Sequence, residues 1–416
     1  MRKLWSIIFV ILLLAGCQSL PSRSRSTTVP HGSLPSTDLV PRPPQPTTKA
    51  GAPTATPYLP SRAPTAAETR TIDRLMAHMT LEQKIGQHFM GHIPRAGVDP
   101  EMLANIEKGL YGGFILYPWN YKTEDDVRAL TQKLQTAAAK DSPPIELFLS
   151  ADQEGGRVAA FRFPHFVQFP AAFYIGEYHD IGMAWSNGYI NAVELRSLGL
   201  NMNFAPVLGI YPKPDSTIIG DRSMGPNVNI VSALGQAYIW GAEEGGIIPV
   251  AKHFPGHGAA TLDSHYDLPV VEYTRDELMA KDIRPFIAAI DAGVEVIMTA
   301  HILYPKIDST YPVTLSTIFL RDILRKQLGF QGVVITDGLS MGALSKHFPL
   351  KETLKRAFDA GADILLDHAV YDVPSMVKEV ESMVHDGEIP MATVDDGTRR
   401  VLLLKLRHGL ILPQTN

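Results

Sequence analysis

The chain has 416 residues, 45% of them hydrophobic and 19% charged, and its 38 basic against 43 acidic side chains leave a formal net charge of −5. That balance, with no clustered basic run, excludes an electrostatic nucleic-acid binder, because neutralising phosphates supplies most of such affinity. A single cysteine excludes an intramolecular disulfide framework and a cysteine-based zinc site. Any chemistry has to come from carboxylates, histidines and hydroxyls.

Arg2 and Lys3 precede an apolar run over 4–15, which closes on Leu14-Ala15-Gly16-Cys17. The run is too short to span a bilayer and has the layout of a signal peptide over 1–17. Its last four residues resemble the lipobox of bacterial lipoproteins, in which the signal is cut before the cysteine and the cysteine carries the lipid. That resemblance implies lipidation at Cys17 and a place in the cell envelope, with the membrane held through a lipid anchor only. Gln18, where an aspartate is absent, implies the outer membrane facing the periplasm if the host is Gram-negative. The alternative is a soluble secreted protein whose cysteine is incidental. From 18 to 66 the chain is dense in Pro, Ser and Thr without apolar periodicity, so it cannot bury enough surface to offset the entropy of ordering. This stretch reads as a disordered tether whose r.m.s. span is about 40 Å.

The remainder, 67–416, is long for one domain but fits a decorated α/β barrel. Short apolar runs at 85–91, 113–117, 146–151, 202–206, 247–252, 295–300, 333–336 and 363–366 read as eight strands buried on both faces. Between them lie stretches with helical spacing, such as 321–328 ended by Gly329. A doubly wound open sheet uses the same alternation. Nearly every run, however, ends in polar residues: Asp152-Gln153-Glu154, Asn203, Lys252-His253, His301, Asp337 and Asp367. Polar groups converging from the carboxyl ends of many strands are the mark of a barrel, whereas an open sheet concentrates them at its switch point. The expectation is therefore a single-domain (β/α)8 TIM-type barrel.

Three stretches could carry chemistry. Asp152-Gln153-Glu154-Gly155-Gly156-Arg157 could bind a cation, accept hydrogen bonds from sugar hydroxyls, or form a turn closed by an internal Asp–Arg pair. The run from Ala251 to His265 follows a strand, is rich in glycine and holds three histidines. It could be a metal site, although no helix aligns the ligands and no carboxylate cluster is adjacent. It could instead make Asp263 and His265 a dyad, the carboxylate orienting an imidazole that gives and takes protons near neutral pH. It could also be a polar loop without a task. Asp337, at the end of an apolar strand and followed by Gly338, is either a nucleophile at a barrel mouth or the N-cap of the next helix. No phosphate loop or dinucleotide fingerprint occurs, since the glycines of 241–246 precede their strand and lack the spacing.

Together these residues resemble the family 3 glycoside hydrolases, in particular the bacterial β-N-acetylhexosaminidase branch. The resemblance runs from about Met79 to Asp367 and rests on ordered motifs. They are Met79-Thr80-Leu81-Glu82-Gln83-Lys84-Ile85-Gly86-Gln87, Asp152-Gln153-Glu154-Gly155-Gly156-Arg157, Asn203-Phe204-Ala205-Pro206-Val207, Lys252-His253-Phe254-Pro255-Gly256-His257-Gly258, Asp263-Ser264-His265, Ala300-His301 and Asp337-Gly338-Leu339-Ser340-Met341.

The resemblance implies a retaining mechanism in which Asp337 attacks the anomeric carbon while His265, paired with Asp263, serves as acid and then base. This departs from the usual pair of carboxylates. It also implies that Asp152, Arg222, Lys252 and His253 bind a terminal N-acetylglucosamine, on a carbohydrate substrate such as a peptidoglycan fragment or chitooligosaccharide. No cofactor and no metal are implied, and a monomer is expected. Arg222 lies in Gly220-Asp221-Arg222-Ser223, where the family has Glu in place of Asp221. Ala160 stands where the family usually has an arginine, with Arg162 as the candidate replacement; Gly209 and Gly338 each stand in place of an aspartate. Two other functions use the same residues differently. A glycoside phosphorylase would depend on phosphate, and a non-catalytic glycan-binding lipoprotein would not need both Asp337 and His265.

Overall fold

The computed structural model describes residues 63–95, 97–211, 219–260, 262–367 and 371–411. The signal peptide, Cys17 and nearly all of the tether lie outside the described residues. The first helix, Ala66–His78, starts from Thr65, whose side chain accepts from the Glu68 amide while Glu68 returns a bond to the Thr65 amide. This reciprocal cap satisfies amide groups that a helix start otherwise leaves without partners.

Eight parallel strands follow: β1 Phe89–His92, β2 Gly113–Ile115, β3 Phe148–Ala151, β4 Met202–Asn203, β5 Ile248–Phe254, β6 Val296–Thr299, β7 Val333–Gly338 and β8 Ile364–Leu366. Each pairs with its neighbours in sequence, and β1 pairs with both β2 and β8, so the sheet closes. Closure resolves the choice that alternation left open in favour of the barrel. The interior is filled by inward residues of the strands, among them Met90, Ile115, Phe148, Met202, Val250, Met298, Ile335 and Leu366. Val401, Leu404 and Leu410 at the chain's end join the same core. The barrel is thus packed rather than hollow, and only its rim is open to chemistry.

The strand edges differ from the sequence expectation in informative ways. The apolar run at 85–91 is two elements: Ile85 and Gly86 end the helix Leu81–Gly86, and the strand begins only at Phe89. Thr80 and Gln83 form a reciprocal cap at that helix start, and the cap wins over the β-like run. Residues 321–328, expected as an α-helix, lie in a helix Ile318–Gln327 wound with π-type bonding. At the rim, β5 runs on to Phe254 and β7 to Gly338, each beyond the expected end.

Both extensions contain a register shift. Ala251 pairs with Ile297 but Phe254 with Thr299, and Leu366 pairs with Gly338 although Ile364 pairs with Ile335. Each shift is one extra residue on the bulged strand. A bulge bends a strand and re-aims its side chains, and these two occur at Lys252-His253 and Thr336-Asp337.

Candidate active site

The rim above β2 to β8 holds a cavity of about 370 Å³. Asp152, Arg222, Lys252, His253, Asp263, His265 and Asp337 all line it, with Tyr117, Arg157, His257 and Met341. The seven catalytic and sugar-binding candidates named from sequence therefore share one site, although they come from the ends of β3, β5 and β7 and from two loops.

Asp337 is presented by the bulge of β7. Its Oδ1 accepts the amide of Gly338 at 2.8 Å, and its Oδ2 lies 3.8 Å from His253 Nε2. Burial opposes its ionisation, but His253, His301, the Gly338 amide and His265 together hold the carboxyl well below the usual range. Burial, reinforced by Arg222 and Lys252, pushes His253 well below its ordinary value even against the pull of Asp337. Near neutral pH His253 therefore meets Asp337 as a neutral ring, and Asp337 is the anion of the pair. His301, fully buried, is oriented by Thr314 Oγ1 at 2.7 Å from Nδ1 and by the Gly338 carbonyl at 3.0 Å from Nε2. The imidazole thus donates from Nε2 to the residue that follows Asp337 and braces the end of the strand.

Lys252 is buried, and its Nζ donates to Asp152 Oδ1 and, at 2.7 Å, to Glu154 Oε1. Glu154 also takes a two-pronged contact from Arg222, Nε to Oε2 and Nη2 to Oε1, both at 2.8 Å. Burial alone would raise the Glu154 carboxyl; the adjacent Arg222 and Lys252 lower it to about 2. Both cations stay charged, and one carboxylate holds them in place, the arrangement that makes a buried ion cluster tolerable. Asp152 keeps a third of its side chain exposed to the cavity. The candidate sugar-binding groups are therefore a partly open carboxylate and two fixed cations around it.

Asp263 Oδ1 lies 2.8 Å from His265 Nδ1 and also accepts the His265 amide at 2.9 Å. With Nδ1–H directed at the carboxylate, Nε2 is the nitrogen free to exchange a proton with a ligand. The imidazole is more than half exposed, so the proton has a route to solvent. The loop that carries the pair is fastened from below. His257 Nε2 lies 3.2 Å from Ser264 Oγ, and Gly258 fits against Ile210 so closely that a Cβ would fall within 1.8 Å of its carbonyl oxygen. From the β7 side, the amides of Gly342 and Ala343 donate to the carbonyls of His265 and Ser264 at 3.0 Å each.

Several working parts were not singled out as site residues in the sequence. Glu154 lay inside a quoted motif, but its main partner is 68 residues away. Arg157 meets Asp221 at 2.6 Å and the Ile219 carbonyl at 3.2 Å, which ties the turn after β3 to the segment carrying Arg222. The proposed replacement of the missing arginine is corrected: the Arg162 guanidinium donates to the Gly156 carbonyl at 2.6 Å and is not among the residues lining the cavity, whereas Arg157 is. Ala160 is buried, and its carbonyl accepts from Tyr121. Among the described residues no three His, Cys, Asp or Glu side chains are placed to hold a metal ion, and the histidines of 253–265 split between Asp337, Ser264 and Asp263. A larger cavity, about 540 Å³, lies at the opposite end of the barrel, but its arginines are paired with Asp73, Asp363, Glu68 and Glu295. It lacks the convergent reactive groups of the rim site.

Residues 80–404 match the family description "Glycosyl hydrolase family 3 N terminal domain". The chain is 36% identical over 282 residues to beta-hexosaminidase A of Pseudoalteromonas piscicida, the match covering 64% of this chain and 47% of that protein. It is 36% identical over 283 residues to a beta-hexosaminidase of Thiobacillus denitrificans, covering 65% of this chain and 74% of the relative. Among solved structures it is similar to a family 3 beta-N-acetylglucosaminidase from Paenibacillus sp. str. FPU-7, with 35% identity and a TM-score of 0.77 over 81% of this chain and 64% of that one. The chain thus spans about half of the first relative and just under two thirds of the solved structure.

Proposed function

The chain belongs to glycosyl hydrolase family 3, and from that premise we propose that it is an exo-acting β-N-acetylglucosaminidase which cleaves terminal β-linked N-acetylglucosamine with retention of configuration. The observation that carries this reading is the meeting, in one cavity, of an ionised carboxylate at Asp337 with the Asp263–His265 pair. The names of the relatives support the same substrate class.

In the first step the Asp337 carboxylate attacks the anomeric carbon, the glycosidic C–O bond breaks, and the leaving oxygen takes the proton held at His265 Nε2. A glycosyl ester on Asp337 results. In the second step His265, now neutral, takes a proton from water, and the water oxygen displaces the Asp337 carboxylate. Asp263 orients the imidazole and offsets its positive charge when protonated. Asp152 accepts from sugar hydroxyls, while Arg222 and Lys252, held by Glu154, supply fixed positive charge around them. Neutral His253 leaves the nucleophile its full charge.

The substrates this reading favours are peptidoglycan fragments or chitooligosaccharides. The lipobox-like Leu14-Ala15-Gly16-Cys17 supports a lipid-anchored enzyme in the cell envelope, with the tether extending the barrel from the membrane. Hydrolysis of an aryl β-N-acetylglucosaminide by the full chain, beside the aryl β-glucoside and with and without phosphate, tests the reading. Release from the N-acetyl substrate, indifferent to phosphate and giving the β-anomer first, is expected. An α-anomer as first product would overturn retention, and silence on both substrates would overturn the activity.

A further inference from the structure

Beyond the cavity wall, the loop after β2 carries a side-chain stack that the proposed sugar site does not use. Tyr117 lines the cavity, and its ring stacks on Trp119 with centroids 4.3 Å apart and planes 19° apart. Trp119 is 40% exposed, and the guanidinium carbon of Arg95, from the loop after β1, lies 4.7 Å from the Trp119 ring centroid. The assembly is built rather than incidental. Pro118 opens a short 3₁₀ turn, and the Asn120 side chain accepts the Tyr117 amide at 2.8 Å while donating to the Ile93 carbonyl at 2.9 Å. That single amide group fixes the two loops against each other.

Among the described residues no carboxylate lies within ion-pair distance of Arg95. An exposed tryptophan beside an uncompensated cation, at the edge of a reactive cavity, is costly to hydrate well and points to a ligand with both an apolar face and a negative charge. In the closed barrel the loops after β1 and β2 face the loop after β5 across the rim, and the latter carries His265 with the exposed Tyr266 beside it. A leaving group protonated by His265 therefore emerges between these two walls.

We propose that Trp119 and Arg95 form an acceptor-side subsite for the sugar released by cleavage, and that this sugar carries a carboxylate. The proposal rests on the hydrolase reading above and narrows its substrate. The CH face of the pyranose packs on the exposed part of Trp119, and the carboxylate pairs with the Arg95 guanidinium, whose planar fork suits two-pronged contact. A neutral chitooligosaccharide would use the tryptophan alone.

The test compares the wild-type full chain with Trp119→Ala, Trp119→Phe and Arg95→Gln on three substrates: an aryl β-N-acetylglucosaminide, N,N′-diacetylchitobiose, and N-acetylglucosaminyl-N-acetylmuramic acid. Trp119→Ala is expected to lower kcat/KM on the two disaccharides about tenfold more than on the aryl glycoside, with Phe restoring most of the difference. Arg95→Gln is expected to lower kcat/KM about tenfold on the carboxylated disaccharide relative to the neutral one. Equal losses on all three substrates would make Trp119 part of the scaffold and overturn the subsite. An Arg95→Gln variant that treats the two disaccharides alike would overturn the carboxylate. If the wild type turns over nothing, the hydrolase reading fails, and the subsite then stands or falls on calorimetric binding of free N-acetylmuramic acid, which Arg95→Gln must weaken.

Discussion

The backbone amide of Gly342 donates to the carbonyl of His265 at 3.0 Å, and Gly342 lies five residues beyond Asp337. The acid/base loop of the proposed mechanism is thereby fastened to the chain that leaves the nucleophile. A Cβ at position 342 would fall 2.5 Å from the Tyr266 carbonyl oxygen and 2.8 Å from that of His265. Neither atom can give way without moving the loop. Gly342→Ala is therefore expected to fold and to lose about 10- to 100-fold in kcat/KM, because displacements near 1 Å at a reacting group cost that much. Thermal melting beside steady-state kinetics checks it; full activity would show that the loop adjusts elsewhere.

Asp337→Ala should lower kcat by at least about 10⁴-fold, since no other carboxylate is aimed at the same point from β7. His265→Ala should slow a natural disaccharide far more than an activated aryl glycoside, because a poor leaving group most needs the proton. Azide added to His265→Ala should then yield the β-glycosyl azide. Equal slowing on both substrates, with no azide product, would remove His265 from the acid role.

Glu154 is the acceptor shared by Arg222 and Lys252, so Glu154→Gln leaves two buried cations short of charge. A stability loss of about 3–5 kcal/mol is expected, together with reduced kcat/KM. The pH dependence has a definite sign. A carboxyl lowered to about 2 in the folded state adds stability above its unfolded value, and that stability is lost as pH falls from there through about 2. Chemical denaturation at several pH values should show this loss in the wild type and not in the variant.

Asp282 has the opposite sign. It is buried, neither carboxyl oxygen has a hydrogen-bond partner among the described residues, and burial raises it to about 6. The folded state holds the proton more tightly than the unfolded chain, so the associated stability is full below the unfolded value and disappears as pH rises through about 6. Asp282→Asn should match the wild type near pH 4 and exceed its stability by about 2–3 kcal/mol near pH 8. Melting temperatures at the two pH values decide it.

The seven candidate residues were legible because their motifs lie at strand ends, and a strand end on a parallel barrel is at the rim whatever its partners are. Lys252-His253 and Asp337 could be found that way from alternation and polar termini alone. Local signals also explain the helix at Leu81–Gly86, where a cap outcompeted an apolar run that reads as strand. Closure of the sheet was a different matter, since it depends on β1 meeting β8, elements some 270 residues apart. So was the identity of the charge partners. Adjacent carboxylates in 152–154 are equally consistent with a cation, a sugar or a turn, and only the fold brings Arg222 and Lys252 onto Glu154. The bulges that aim Asp337 and Lys252, and the stack that places Arg95 over Trp119, likewise arise from contacts between distant segments. Residue type and strand position thus set which groups reach the rim, while charge pairing and aim, being long-range, were decided by the tertiary structure.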